Sequence, residues 1–165
     1  MHIIAASSQH MAALQDIVRQ TWPVAYGDIL SPAQIDYMID RFYSTDALSR
    51  QMSEGQHFLL AFEQGAPAGF AGYEVNIEPS TTKLHKLYVL PQMQGKGIGR
   101  SLLNTVKQAA EKADQQRLIL NVNRYNKAIH FYEKNGFSIA YTEDIDIGQG
   151  YFMNDYVMEI AIHPA

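Results

Sequence analysis

The densest concentration of potential chemistry in the sequence is Leu87-Tyr88-Val89-Leu90-Pro91-Gln92-Met93-Gln94-Gly95-Lys96-Gly97-Ile98-Gly99-Arg100, where an apolar strand runs through a glycine-rich turn into a helix. Unpaired N–H groups at a helix start, the positive end of the helix dipole and the close approach that glycine permits make such a turn a cradle for anions, phosphates above all. Lys96 and Arg100 add positive charge beside it. Two phosphate loops are excluded by spelling. The run lacks the Gly-x4-Gly-Lys-Ser/Thr of a P-loop, and Arg100 stands where the third glycine of a Gly-x-Gly-x-x-Gly dinucleotide fingerprint belongs. A turn whose glycines merely let helix and strand pack fits the same residues, so the turn alone leaves both readings open.

Elements that position this turn are legible around it. His2–Ala6 reads as a strand, and Ser7-Ser8 caps a helix with Met11, Leu14, Ile17 and Val18 on one face. Ser31-Pro32 opens a second helix, with proline at its first position and Ile35, Met38, Ile39 and Phe42 as its stripe. Thr45-Asp46 opens a third, ending near Gly55. The period then changes to two, with Phe58–Phe62 and Gly69–Ile77 flanking Gln64-Gly65-Ala66-Pro67 as a hairpin. Leu84–Leu90 is the next strand, and a helix from about Gly97 to Ala113 carries Ile98, Leu102, Leu103, Val106 and Ala110 on one side. Leu118–Val122 follows as a strand, then a helix over Asn126–Asn135 stopped by Gly136, then strands Phe137–Tyr141 and Tyr151–Ile162. The order β-α-α-α-β-β-β-α-β-α-β-β combines a hairpin with β–α–β crossovers. That is the α+β class, with a mixed sheet of about seven strands flanked by helices.

Composition bounds what this arrangement can be. The 165 residues suit one domain spanning 1–165, with a core of its own. At 47% apolar and 18% charged residues, the chain is neither a disordered acidic polymer nor a membrane protein. Its apolar runs, such as Phe58–Phe62, fall far short of the roughly 20 residues a bilayer crossing needs. The opening MHIIAASSQH lacks the make-up of a secretion signal. With no cysteine, disulfides, thiolate metal sites and a thiol nucleophile are excluded; no metal is expected, and a reducing cytoplasm is the expected setting. The net charge of −4 conceals an asymmetry: Lys83 to Lys134 holds ten basic residues against three acidic ones, and the remainder three against fourteen. A basic segment inside an acidic chain suits an anion site rather than nucleic-acid affinity, although such a run is more often simply a solvated helix face.

The motifs are more specific. Gln94-x-x-Gly97-x-Gly99, between a strand ending in Tyr88-Val89-Leu90-Pro91 and a helix with paired leucines, closely resembles the acetyl-coenzyme A (acetyl-CoA) signature of the GCN5-related N-acetyltransferase (GNAT) superfamily. The run from Asn123 through Asn126, Ala128, Phe131 and Tyr132 to Gly136-Phe137 resembles that family's second motif. The resemblance implies a GNAT-like sheet, acetyl-CoA as donor and a primary amine as acceptor. It implies that Leu87, Tyr88 and Val89 lie where the strand splays and offer a main-chain N–H to the thioester carbonyl. It places Gln94, Gly95, Lys96, Gly97, Ile98, Gly99 and Arg100 around the phosphates, and an asparagine on the pantetheine arm. In most relatives that asparagine lies three residues before the alanine, where this chain has Tyr125, so Asn123 and Asn126 are both candidates.

Transfer to an amine needs a neutral nucleophile, a polarised carbonyl and a proton for the departing thiolate. An alkylamine of pKa about 10.4 is neutral in roughly 4 molecules per 10,000 at pH 7, a handicap of about 4–5 kcal/mol for a base to offset. In the family that base is often a Glu or His four residues ahead of the valine, which here is His85; Glu74, acting through water, is the alternative. Tyr132 matches the tyrosine that faces the coenzyme sulfur and is the expected general acid, a phenol of about 10 against a thiol of about 8.5. Without cysteine there is no acetyl-cysteine intermediate, and the amine attacks the thioester directly.

In the family the early helices and last two strands build the acceptor site. Here they hold Trp22, Tyr26, Asp28, Asp36, Tyr37, Asp40, Tyr43, Glu143, Asp144, Asp146, Tyr151 and Asp155. Aromatic faces and carboxylates suit a cationic amine, and the pattern resembles a bacterial subgroup with polyamine-acetylating members. A small-molecule amine such as a polyamine is the expected acceptor. The competing readings are acetylation of a protein N-terminus or lysine, a non-catalytic acetyl-CoA-binding module, and a nucleic-acid binder, the last opposed by the acidic remainder. Homodimers are common in the superfamily.

Overall fold

The computed structural model describes residues 1–163. Strands β1 (His2–Ala6), β2 (His57–Glu63), β3 (Ala66–Glu78), β4 (Thr81–Val89), β5 (Arg117–Asn123), β6 (Ser138–Gly148) and β7 (Tyr151–Ala161) alternate with helices α1 (Met11–Tyr26), α2 (Pro32–Tyr43), α3 (Thr45–Ser53), α4 (Ile98–Lys112) and α5 (Ala128–Lys134). The strands form one sheet in the order β1-β2-β3-β4-β5-β7-β6. Only β4 and β5 run parallel, joined by the crossover through α4, so the mixed α+β sheet expected from the pattern is the one observed. No helix among the described residues is long and apolar enough to cross a membrane.

Local signals explain most boundaries. Ser31 accepts a hydrogen bond from the N–H of Gln34, with Pro32 at the first helical position. The third helix is capped one residue before the expected Thr45, because the Ser44 hydroxyl accepts from Ala47. Gln64 (φ 52°) and Gly65 (φ 78°) alone turn the hairpin, so Ala66 and Pro67 belong to β3, where the register shifts between Ala61 and Phe62. β4 starts at Thr81 rather than Leu84, since Glu78 pairs with Thr81. α5 starts at Ala128 rather than Asn126, because the Asn126 side chain caps it by accepting from the Ala128 N–H at 2.9 Å. The largest departure is β6. The sequence reading ends it at Tyr141, but Asp144, Ile145, Asp146 and Ile147 continue the alternation to Gly148 against β7.

Each face of the sheet carries its own core. Leu102, Leu103 and Val106 of α4 pack on Leu118, Leu120 and Met158, and Leu14, Ile17, Val18 and Trp22 of α1 pack with Leu48, Leu60 and Phe70 on the other face. These side chains are at most 3% exposed, each contributing about 1.5–3 kcal/mol through burial. Two irregularities interrupt the sheet between the cores. Pairing of β4 with β5 covers only Thr81–Leu84 against Arg117–Leu120, after which the strands part. In β4, Gly72 faces Lys86 while Tyr73 faces Leu84, leaving His85 as the extra residue of a bulge.

Candidate active site

The parted strands and the glycine turn lie at the same end of the sheet. After β4 a single 3-10 turn over Pro91–Met93 leads to Gly95 (φ 82°) and Gly97 (φ 81°), both left-handed, and α4 begins at Ile98. The main-chain N–H groups from Gly95 to Arg100 meet no acceptor among the described residues, and a Cβ built on Gly95 or Gly97 would touch nothing within 4 Å. Free donors, open space and a helix start fit a phosphate chain. The glycines nonetheless divide their roles. Gly99 has an ordinary φ, and its Cβ would meet Phe131 at 3.5 Å and Val89 at 3.6 Å, ordinary contacts that leave room for a small side chain where α4 packs on α5 and the strand. Ile98 is core, offering only its main chain. Gln94 donates from Nε2 to the Val89 carbonyl at 3.3 Å and braces the loop.

On the opposite side, between α1–α2 and strands β4, β5 and β7, lies a cavity of about 310 Å³. Trp22, Tyr26, Tyr43, His85, Lys86 and Asp155 are among its walls. Tyr37 of α2 donates to the Ile147 carbonyl at 2.6 Å and Gln34 to that of Phe152 at 3.2 Å, binding α2 to the β6–β7 hairpin across the cavity. A larger hollow of about 580 Å³ lies at the other end of the sheet, where Arg117 already pairs with Glu78 and Glu159. None of the expected site residues lines it.

The cavity's electrostatics follow from burial. Asp155, 2% exposed, accepts from Asn121 Nδ2 at 3.2 Å, and the same amide bonds Glu143 at 2.9 Å. Burial pushes the Asp155 carboxyl above its ordinary range and Glu143 adds to the shift, against the Asn121 hydrogen bond. Two carboxylates sharing one amide are arranged for a cation. His85 Nε2 lies 3.0 Å from Glu74 Oε1. Burial, then the charges of Lys86 and Lys83, nevertheless hold the imidazole down at about 3, so it is neutral at working pH. The Tyr26 and Tyr88 hydroxyls lie 3.1 Å apart. Tyr132, 8% exposed, is wedged edge-on against Phe131 and Phe137. Its phenol is raised well above 10 by burial, with Tyr26 adding to the shift.

Several expectations meet this geometry directly. Leu87 and Val89 pack toward α4 whereas Tyr88 points toward α1, and β4 leaves the Leu87–Val89 backbone unpaired on its β5 side. Asn123 lines the cavity and accepts from the Tyr125 N–H, while the Asn126 side chain caps α5. Of the acidic acceptor-side set, Asp155 is buried in the cavity; Asp28, Asp36, Asp40, Asp144 and Asp146 are exposed. The basic segment is not one phosphate patch. Arg117 bridges Glu78 and Glu159 at the far end, Arg124 pairs with Asp144, Lys107 donates to the Asn135 carbonyl at 3.1 Å, and Lys83 and Lys86 face the cavity; of the ten, Lys96 and Arg100 stand at the turn. Sequence reasoning missed Lys86, Gln56 and Asn121. The available signal was a lysine interrupting the otherwise apolar run after His85.

Known proteins share this sequence pattern and fold. The model of the acetyltransferase (GNAT) domain matches residues 28–156. The chain is 30% identical over 146 residues to a spermidine N(1)-acetyltransferase of Thermoplasma acidophilum, covering 85% of this chain and 89% of that protein. It superposes with a TM-score of 0.80 on the PaiA N-acetyltransferase of the same organism, solved in complex with coenzyme A, at 29% identity over 98% of this chain and 99% of that one. A GCN5-related N-acetyltransferase from Rhodopseudomonas palustris gives 0.82 at 19% identity, covering 97% and 94% of the two chains, a likeness of fold. Glycine cradle, parted strands and family match converge: the chain belongs to the GNAT acetyltransferase family and is an acyltransferase that takes its acetyl group from acetyl-CoA.

Proposed function

We propose that the chain moves the acetyl group of acetyl-CoA directly onto a primary amine of a small cationic molecule, with polyamines as the acceptor class. The observation that carries this reading is the pairing of a cradle of free N–H groups with a cavity walled by aromatic rings and one buried carboxylate, Asp155, across the gap where β4 and β5 part. Likeness to a spermidine acetyltransferase supports the same acceptor class. Gly95 to Arg100 hold the pyrophosphate through main-chain N–H groups, with Lys96 and Arg100 supplying charge. A main-chain N–H within Leu87–Val89 polarises the thioester carbonyl. Asn123 or Asn126 bonds the pantetheine arm with the amide N–H that its local cap leaves free. Asp155, backed by Glu143, draws in the acceptor's ammonium, and the rings of Trp22 and Tyr26 flank it.

Tyr132 hydrogen-bonds the departing thiolate and delivers its proton. Its raised pKa keeps it protonated at every working pH, while making it a weaker acid than an ordinary phenol. His85 and Glu74 act as a pair: a neutral imidazole bonded to a carboxylate orders a water beside the amine but holds a proton poorly. The test is an acceptor screen with acetyl-CoA that follows thiol release over polyamines, diamines, amino acids, aminoglycosides and peptides with free N-termini or lysines. Polyamine turnover above the hydrolysis background is expected. Silence with polyamines alongside turnover of peptides overturns the acceptor class.

A further inference from the structure

A cationic acceptor must lose a proton before it can attack, and His85 is a poor place to put it. The bulge at His85 changes which side chains β4 turns toward α1–α3: Lys86 and Tyr88 now point there, and Lys83, His85 and Lys86 all line the cavity. Lys86 is 7% exposed. Its Nζ donates to Gln56 Oε1 at 2.9 Å and lies 5.3 and 5.7 Å from the centroids of Phe58 and Tyr43. No carboxylate among the described residues forms a salt bridge with it. Aromatic faces return only part of the hydration a buried ammonium gives up, so the uncharged amine is within reach.

We propose that Lys86 is the proton acceptor for the ammonium of the incoming substrate. This rests on the acetyl-transfer reading above. Two alkylammonium groups in one desolvated cavity repel each other, so one gives up its charge. Neutral Lys86 takes the first proton from the acceptor nitrogen, directly or through one water. The freed lone pair forms the C–N bond to the thioester carbonyl, the C–S bond breaks, and the nitrogen's second proton leaves with the coenzyme sulfur by way of Tyr132. Lys86 then returns its proton to water. The surrounding charges are consistent with this role. Lys83 on its own strand lowers it, Glu74 on β3 raises it, and burial dominates both, bringing it from 10.5 to about 7. The other titratable groups facing the cavity are His85, neutral; Tyr26, Tyr43 and Tyr88, phenols held protonated; and Asp155 across the cavity.

Two measurements test the assignment. In enzyme labelled with 13C at lysine Cε, one signal should titrate near neutrality and vanish in Lys86→Arg; a Lys86 signal titrating at an ordinary lysine value overturns the proposal whether or not an acceptor is known. With the best acceptor, wild type should show an acidic limb near pH 7 in kcat/KM. Lys86→Arg keeps the charge and a donor for Gln56, so a merely structural role predicts wild-type behaviour. Our assignment predicts at least tenfold lower kcat/KM at pH 7, with the limb moved toward the acceptor's own pKa and an unchanged KM for acetyl-CoA. An unchanged limb overturns it. If Lys86 titrates near neutrality and no amine in the panel turns over, it is the acceptor reading that fails.

Discussion

At the scale of single residues, burial decides what each side chain can do. Tyr132→Phe removes a hydroxyl from a ring held between Phe131 and Phe137 and keeps that packing, so stability should hold. Steady-state kinetics should show kcat reduced about a hundredfold with KM for acetyl-CoA little changed. Asp155→Asn is predicted to separate function from stability. The Asp155 pKa is raised in the folded state, so the protonated carboxyl favours folding at acid pH, and that contribution is lost as pH rises through the shifted value. At neutral pH it costs stability; the asparagine variant should melt higher while its KM for the amine rises at least tenfold. Tyr132 could be singled out from the sequence because the motif around it is specific. Lys86 stood out only as a lysine interrupting an apolar run, because the bulge that turns it toward the cavity is a register event the pattern of β4 does not show.

Among the elements, the loop after β4 was the most legible and β6 the least. A strand, Pro91 and glycines in quick succession leave few backbone paths, whereas the outward Asp144 and Asp146 of β6 disguise a strand as polar loop. The glycines of the turn are not equivalent. Gly97 sits at φ 81° with open space around its Cβ, so Gly97→Ala should cost about 1 kcal/mol through the backbone alone and raise KM for acetyl-CoA. Gly99→Ala meets only ordinary contacts and should cost less than about 0.5 kcal/mol, both measured by urea unfolding. Equal losses would show that the turn needs small residues rather than left-handed ones.

For the whole molecule, the charge asymmetry of the sequence was real but its first explanation was too simple. Lys96 and Arg100 stand at the glycine turn, Arg117 is neutralised at the far end of the sheet, and Lys83 and Lys86 line the cavity. A linear count cannot separate these, since β4 and β5 contribute to both ends. Buried basic groups also set the pH response. His85 is lowered to about 3 and Lys86 to about 7. For such groups the favourable contribution is present above the unfolded pKa and lost as pH falls toward the folded one. Stability from Lys86 should therefore decline from about pH 10 to pH 7, and from His85 between about pH 6.5 and pH 3. Thermal melts of wild type and Lys86→Met across this range should converge at high pH and separate at neutral pH, with the methionine variant the more stable. Direct acetyl transfer to a polyamine is tested by mass detection of the acylated product when the enzyme is mixed with acetyl-CoA and spermidine. Acetylspermidine and free coenzyme A should form in equal amounts, both strongly reduced in Tyr132→Phe. Coenzyme A released without acetylated amine, or equal yields from the two proteins, would contradict it.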